Sequence, residues 1–169
     1  MIMSRAPVSV CLSLAAMLCL VGCGGGNNNF KKTYPVKGRI QVDGKSPESQ
    51  IAISCVNLAG YDPQNPTESQ CFSNPDGTFE ISTYNTGDGV PEGEYALTFL
   101  WGQLNVFSMS YGGPDKLGGQ YRDPATSPVK FKVVAGKPVD LGTIELKSGT
   151  PVEVPETAPA FSEASVKTE

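Results

Sequence analysis

Between Tyr34 and Leu146 the chain is a succession of short alternating apolar runs cut by turn residues, and nowhere in that span do apolar residues recur at helical spacing over a useful length. That punctuation restricts the fold more than any other feature. In "YPVKGRIQVDGKSP", Val36, Gly38, Ile40 and Val42 alternate with Lys37, Arg39 and Gln41, and the run stops at Asp43-Gly44. "IAISCVNL" sets Ile51, Ile53 and Cys55 on one face and Ala52, Ser54 and Val56 on the other, both apolar enough for a central strand. In "QCFSNPDGTFEIST" two strands flank Asn74-Pro75-Asp76-Gly77, where proline fixes φ and glycine accepts a positive φ.

The remaining strands follow the same grammar. Tyr95, Leu97, Phe99 and Trp101 share a face after the Pro91-Glu92-Gly93 turn, and Val129, Phe131 and Val133 oppose Lys130 and Lys132. A closing strand from Val139 to Leu146 loses its alternation near Gly142, which predicts a β-bulge. About seven strands with no helix predict an all-β, antiparallel β-sandwich, because a sheet with one apolar face needs a second sheet to cover it. Residues 147–169 carry prolines and glutamates with few packing residues, and read as a disordered acidic tail.

The N-terminus is a different material. Arg5 precedes an apolar run from Val8 to Val21, too short to span a bilayer core comfortably, so residues 1–22 read as a secretory signal. The run ends at Leu20-Val21-Gly22-Cys23, which resembles the bacterial lipobox. That resemblance implies a diacylglyceryl group on the Cys23 thiol, cleavage just before it and acylation of the new amino terminus. The alternative is an ordinary signal peptide that happens to hold a cysteine. Residues 23–33, with three glycines and three asparagines after Cys23, read as the lipid-attachment site and a solvated linker. Gly24 is not the aspartate that retains enterobacterial lipoproteins at the inner membrane. The expected location is therefore the cell envelope, at the outer membrane facing the periplasm or the exterior.

Export changes the meaning of the cysteines. Of five, Cys11 and Cys19 leave with the signal and Cys23 is lipidated, so Cys55 and Cys71 remain. An even pair in an oxidising compartment reads as a disulfide, with two buried thiols as the alternative. Two cysteines without any histidine cannot supply a zinc site. Asp43, Asp76 and Asp88 precede glycines and read as turn residues rather than calcium ligands, so no metal or cofactor is expected. Loss of Arg5 leaves 12 basic against 17 acidic residues, a balance of −5 without a basic stripe, which argues against nucleic acid.

"VKGRIQVDGKSP", "PDGTFEIST", "GVPEGEYALTF" and "VDLGTIEL" together resemble the carboxypeptidase regulatory-like domains, which belong to the transthyretin-like, or prealbumin-like, sandwiches. "GDGVPEGEY" followed by "DKLGGQYRDPATSP" is similar to small lipoproteins of the planctomycete type. The resemblance covers residues 34–146 and implies a seven-stranded Greek-key sandwich used as an accessory module. It implies no catalytic residue.

The absence of histidine excludes Ser/His/Asp and Cys/His catalysis, and Glu92 and Glu94 sit in a turn where solvated charge is the default, so the chain is not expected to be an enzyme. The segment 102–128 is long for a sandwich connection. With Trp101 before it and Phe107, Tyr111 and Tyr121 within it, it is the candidate binding surface. A structural or interaction module contacting an envelope protein is the preferred function, and carbohydrate binding through the aromatic loop 101–123 is the alternative. A third arrangement makes Leu117 and Tyr121 a lid on the sandwich edge and Phe107 a core plug.

Overall fold

The computed structural model describes residues 30–107 and 110–154. Cys23 and the signal segment lie outside the described residues. Among those residues there are twelve strands and no helix: β1 (Thr33–Tyr34), β2 (Val36–Val42), β3 (Ala52–Asn57), β4 (Ser69–Phe72), β5 (Thr78–Glu80), β6 (Val90–Pro91), β7 (Gly93–Leu100), β8 (Gln103–Asn105), β9 (Ser110–Asp115), β10 (Lys130–Val133), β11 (Val139–Leu146) and β12 (Val152–Val154). A four-stranded sheet has the order β10-β7-β3-β4 and a three-stranded sheet the order β11-β2-β5. β1 pairs with β6 in a two-stranded sheet, and β12-β9-β8 forms a second three-stranded sheet.

The alternation along the strands decides which side chains meet. Val36, Ile40 and Val42 of β2 and Ile144 and Leu146 of β11 share one hydrophobic core with Ile53 and Cys55 of β3 and Tyr95, Leu97 and Phe99 of β7. That core joins the two principal sheets. Gly38 interrupts the apolar face of β2 for a steric reason. It pairs with Phe79 across β5, and a Cβ at Gly38 would stand 2.8 Å from the ring carbon Cζ of Phe79. The ring lies where a side chain would otherwise be.

Two expectations need correction. Among the described residues the strand count is twelve, because short pairings (β1 with β6, and β8, β9 and β12) add to the seven runs legible as alternation. The ladder is also not wholly antiparallel: β11 lies parallel to β2, from Val139 opposite Val36 to Leu146 opposite Val42. About a hundred residues separate these strands, ample for the crossover that a parallel pair requires. The expected bulge is present, since the register shifts between Asp140 and Thr143, where Gly142 has φ 64° and its amide is held by the Asp140 carboxylate at 2.9 Å.

The tail and linker boundaries also move. Lys147 donates its amide to the Tyr121 hydroxyl at 3.0 Å, Ser148 donates its hydroxyl to Asp43 at 2.6 Å, and β12 pairs with β9 from Val152 opposite Asp115 to Val154 opposite Gly113. Residues 147–154 are therefore ordered structure, supplied with partners by loops that composition could not reveal; residues 155–169 lie outside the described residues. At the other end, Phe30 packs on Tyr84 with ring centroids 4.5 Å apart and the planes tilted by 35°, and Lys31 pairs with Asp62 at 2.7 Å. Order begins before Tyr34.

Candidate functional site

The connection from Gly102 to Pro128 is organised around an aspartate that its sequence context disguises as a turn residue. Asp115 is fully buried. Its Oδ1 accepts the amides of Trp101 at 3.1 Å and Leu117 at 3.0 Å, and its Oδ2 accepts that of Gly119 at 3.0 Å. A buried carboxylate is tolerable only when donors surround it, and three backbone N–H groups do so here. The turn they define drives Leu117 into the core and brings Tyr121 edge-on to Phe99, with centroids 6.3 Å apart. The lid arrangement of Leu117 and Tyr121 is thus the one observed. The local signal for Asp115 is the Gly118-Gly119 pair three and four residues after it, which marks a turn but not the burial of the carboxylate.

The four candidate aromatics do not form one surface. Trp101 is half-buried, donates its indole N–H to Ser49 at 2.7 Å and carries the Lys116 ammonium 4.9 Å from its ring centre. Tyr111 is buried; its hydroxyl donates to the Gln50 carbonyl at 2.7 Å and accepts the Gly102 amide at 3.0 Å. Burial pushes that phenol up to about 12. Tyr121 lies against the core. Phe107 alone is open, 97% exposed, so it is not a core plug.

Phe107 has apolar company. Leu104 on β8 and Val106 just after it are exposed, and Leu104 stands directly opposite Tyr111 on β9. The Tyr111 ring meets Phe72 edge-on at 5.0 Å, and Phe72 is also partly exposed. The result is an exposed apolar cluster of Leu104, Val106 and Phe107 on the β8–β9 hairpin, with Phe72 of β4 on the other side of the buried Tyr111 ring. Beside it a cleft of about 260 Å³ is bordered by Gln50, Gln103, Leu104, Tyr111 and Lys116. A wider, shallow groove of about 490 Å³ runs between β4 and β5, with Cys71, Phe72 and Phe79 in its wall.

The expected disulfide is absent: Cys55 and Cys71 are free thiols. Their register explains this. Cys71 lies opposite Ile53 and Cys55 opposite Ser69, so the two sulfurs are diagonal neighbours on one face of the β3–β4 ladder. Diagonal Cβ atoms stand roughly 7 Å apart, against the ~3.8 Å a disulfide needs. Burial raises both thiols, Cys71 to about 12 and Cys55 further, which removes nucleophilic character at neutral pH.

The turn aspartates cap their own loops. Asp88 accepts the amides of Thr83, Tyr84 and Asn85, and Asp76 accepts both the amide and the hydroxyl of Thr78. Among the described residues no three His, Cys, Asp or Glu side chains gather as a metal site. Glu94 pairs with Lys132 across β7 and β10 at 3.2 Å, both side chains well exposed.

No protein-family model matches the sequence, and no curated protein matches it. Among solved structures, a 9R-lipoxygenase from Cyanothece PCC8801 is similar at a TM-score of 0.35 and 16% identity, over 68% of this chain and 16% of that one. An overlap this loose transfers neither fold nor activity.

Proposed function

We propose that the protein is a non-enzymatic, lipid-anchored β-sandwich of the cell envelope that serves as an interaction module and contacts an envelope protein through the β8–β9 hairpin. The supporting observation is the exposed cluster of Leu104, Val106 and Phe107 on a hairpin whose base is locked by Asp115. An exposed apolar cluster on a rigid support is what a partner-binding hot spot requires. The Cys23 anchor rests on the lipobox, and the prealbumin-like Greek-key assignment rests on the resemblance of the turn motifs. Carbohydrate binding has less support, since only Phe107 of the four candidate aromatics offers an open ring face.

The test is site-specific photo-crosslinking in intact cells, with the reactive group at residue 107 or at the exposed Lys130 on β10. A discrete adduct from residue 107 and none from residue 130 is the expected result. Equal labelling from both, or none from residue 107, overturns the hairpin as the partner surface. Cys23→Ser in the same cells should release the protein from the membrane fraction.

A further inference from the structure

The chain enters the domain at the end opposite the hairpin. Phe30 and Lys31 are fastened to Tyr84 and to Asp62 in the loop that leaves β3, and Leu58 in the same loop donates its amide to the Glu94 carbonyl at the start of β7. β7 then runs eight residues to Leu100, and the hairpin begins at Gln103. At about 3.3 Å per residue the two ends are separated by roughly 26 Å. The entry end has its own apolar exposure: Phe30 at 63%, Leu58 at 44% and Tyr61 at 71%.

The geometry points to this entry end as a bilayer-docking surface, with Phe30, Leu58 and Tyr61 inserted among lipid headgroups and the β8–β9 hairpin held away from the membrane. The inference rests on the lipid-anchor reading. Phe30 is seven positions beyond Cys23, a reach of about 25 Å when fully extended, so an acylated Cys23 keeps this end near the headgroups whatever path the linker takes. Confinement at that range converts weak insertion into an intramolecular event with a high effective concentration. Phenylalanine, tyrosine and leucine suit the task, because an apolar body with or without a polar tip matches the gradient at a membrane interface.

Charge does not select this surface. Lys31 is committed to Asp62 and Lys132 to Glu94, and exposed Lys32, over the Tyr34 ring at 5.7 Å, adds a single cation where a polybasic contact needs a cluster. Docking should therefore occur on phosphatidylcholine alone and survive added salt, unlike a polybasic contact.

Trp101, the one native tryptophan, lies beside the far hairpin and serves as an internal control. The experiment reconstitutes the mature acylated protein, as wild type and as Tyr61→Trp, into phosphatidylcholine vesicles with brominated acyl chains. Tyr61 is exposed, so the substitution leaves the fold intact. The emission added by Tyr61→Trp should shift to the blue and be largely lost to bromine quenching, at low and high salt alike, while that of Trp101 is retained. Protein that floats with the vesicles but keeps the added emission unquenched overturns the docking surface and leaves the anchor standing. Protein that does not float at all removes the anchor and the docking together.

Discussion

The Tyr111 hydroxyl donates to the Gln50 carbonyl at 2.7 Å across 61 residues of chain, and so fastens the β8–β9 hairpin to the segment that leads into β3. The same oxygen accepts the Gly102 amide, which leaves neither backbone group unpaired. Four residues away, Phe107 is almost wholly exposed. Two aromatics in one hairpin therefore have opposite roles. Tyr111→Phe should cost about 1–3 kcal/mol by orphaning buried groups, and Tyr111→Ala about 3–5 kcal/mol through a cavity. Phe107→Ala should change stability by no more than about 0.5 kcal/mol yet weaken partner contact. Denaturant unfolding of the three variants checks the contrast; equal destabilisation by all of them contradicts it.

Asp115 should be the least replaceable polar side chain of the long connection. Asp115→Ala strands the amides of Trp101, Leu117 and Gly119 in the interior, at about 1–3 kcal/mol for each that finds no water. Asp115→Asn retains one acceptor oxygen and should lose less. Thermal unfolding that ranks alanine well below asparagine supports the hub, and indistinguishable variants argue against it.

Removing everything after Leu146 should destabilise the domain. The cut deletes the partner of the Tyr121 hydroxyl, the Ser148 bond to Asp43, the Gly149 amide bond to the Lys116 carbonyl and the β12 ladder. A fall in Tm of roughly 5 °C or more is expected for losses of this size in a small domain. An unchanged Tm would show that residues 147–154 only rest on the surface.

The two domain cysteines should be masked rather than bridged. Cys55 and Cys71 should resist thiol reagents in the folded, unreduced protein and label quickly once it is unfolded, because burial and a raised pKa both suppress the thiolate. Failure to label in denaturant without reductant would reveal a bridge.

What the sequence discloses and what it hides follow physical lines. The faces of β2, β3 and β7 are legible because strand periodicity is local: Ile40, Ile53 and Leu97 are all fully buried where alternation puts them. The bulge at Gly142 is legible for the same reason. The parallel seating of β11 on β2 is not, since pairing between distant strands leaves no trace in either one alone. Asp115 is hidden because its burial and its bond from the Trp101 amide, fourteen residues back, exist only once the connection has folded. The cysteines mislead because parity and compartment say nothing of register; a slip of two residues in β3 against β4 would set them opposite each other.

Two buried phenols make the fold sensitive to alkali. Tyr95 donates its hydroxyl to the Pro91 carbonyl at 3.0 Å and Tyr111 donates to Gln50, and for both the leading cause of the raised pKa is desolvation, which carries each from 10 to about 12. A phenol whose pKa is higher in the folded state holds its proton there after the unfolded chain has released it. Stability from these two groups is therefore complete below about pH 10 and drains away as pH rises from about 10 to about 12. Of six tyrosines, these two should ionise only as the domain opens, so a late rise in tyrosinate absorbance should coincide with loss of the β-sheet circular dichroism signal. Because Tyr95 sits in the core between the sheets and Tyr111 at the hairpin base, Tyr111→Phe should leave the Tyr95 part of the transition in place and remove only its own. Smooth ionisation of all six phenols with the circular dichroism unchanged would contradict the burial of both.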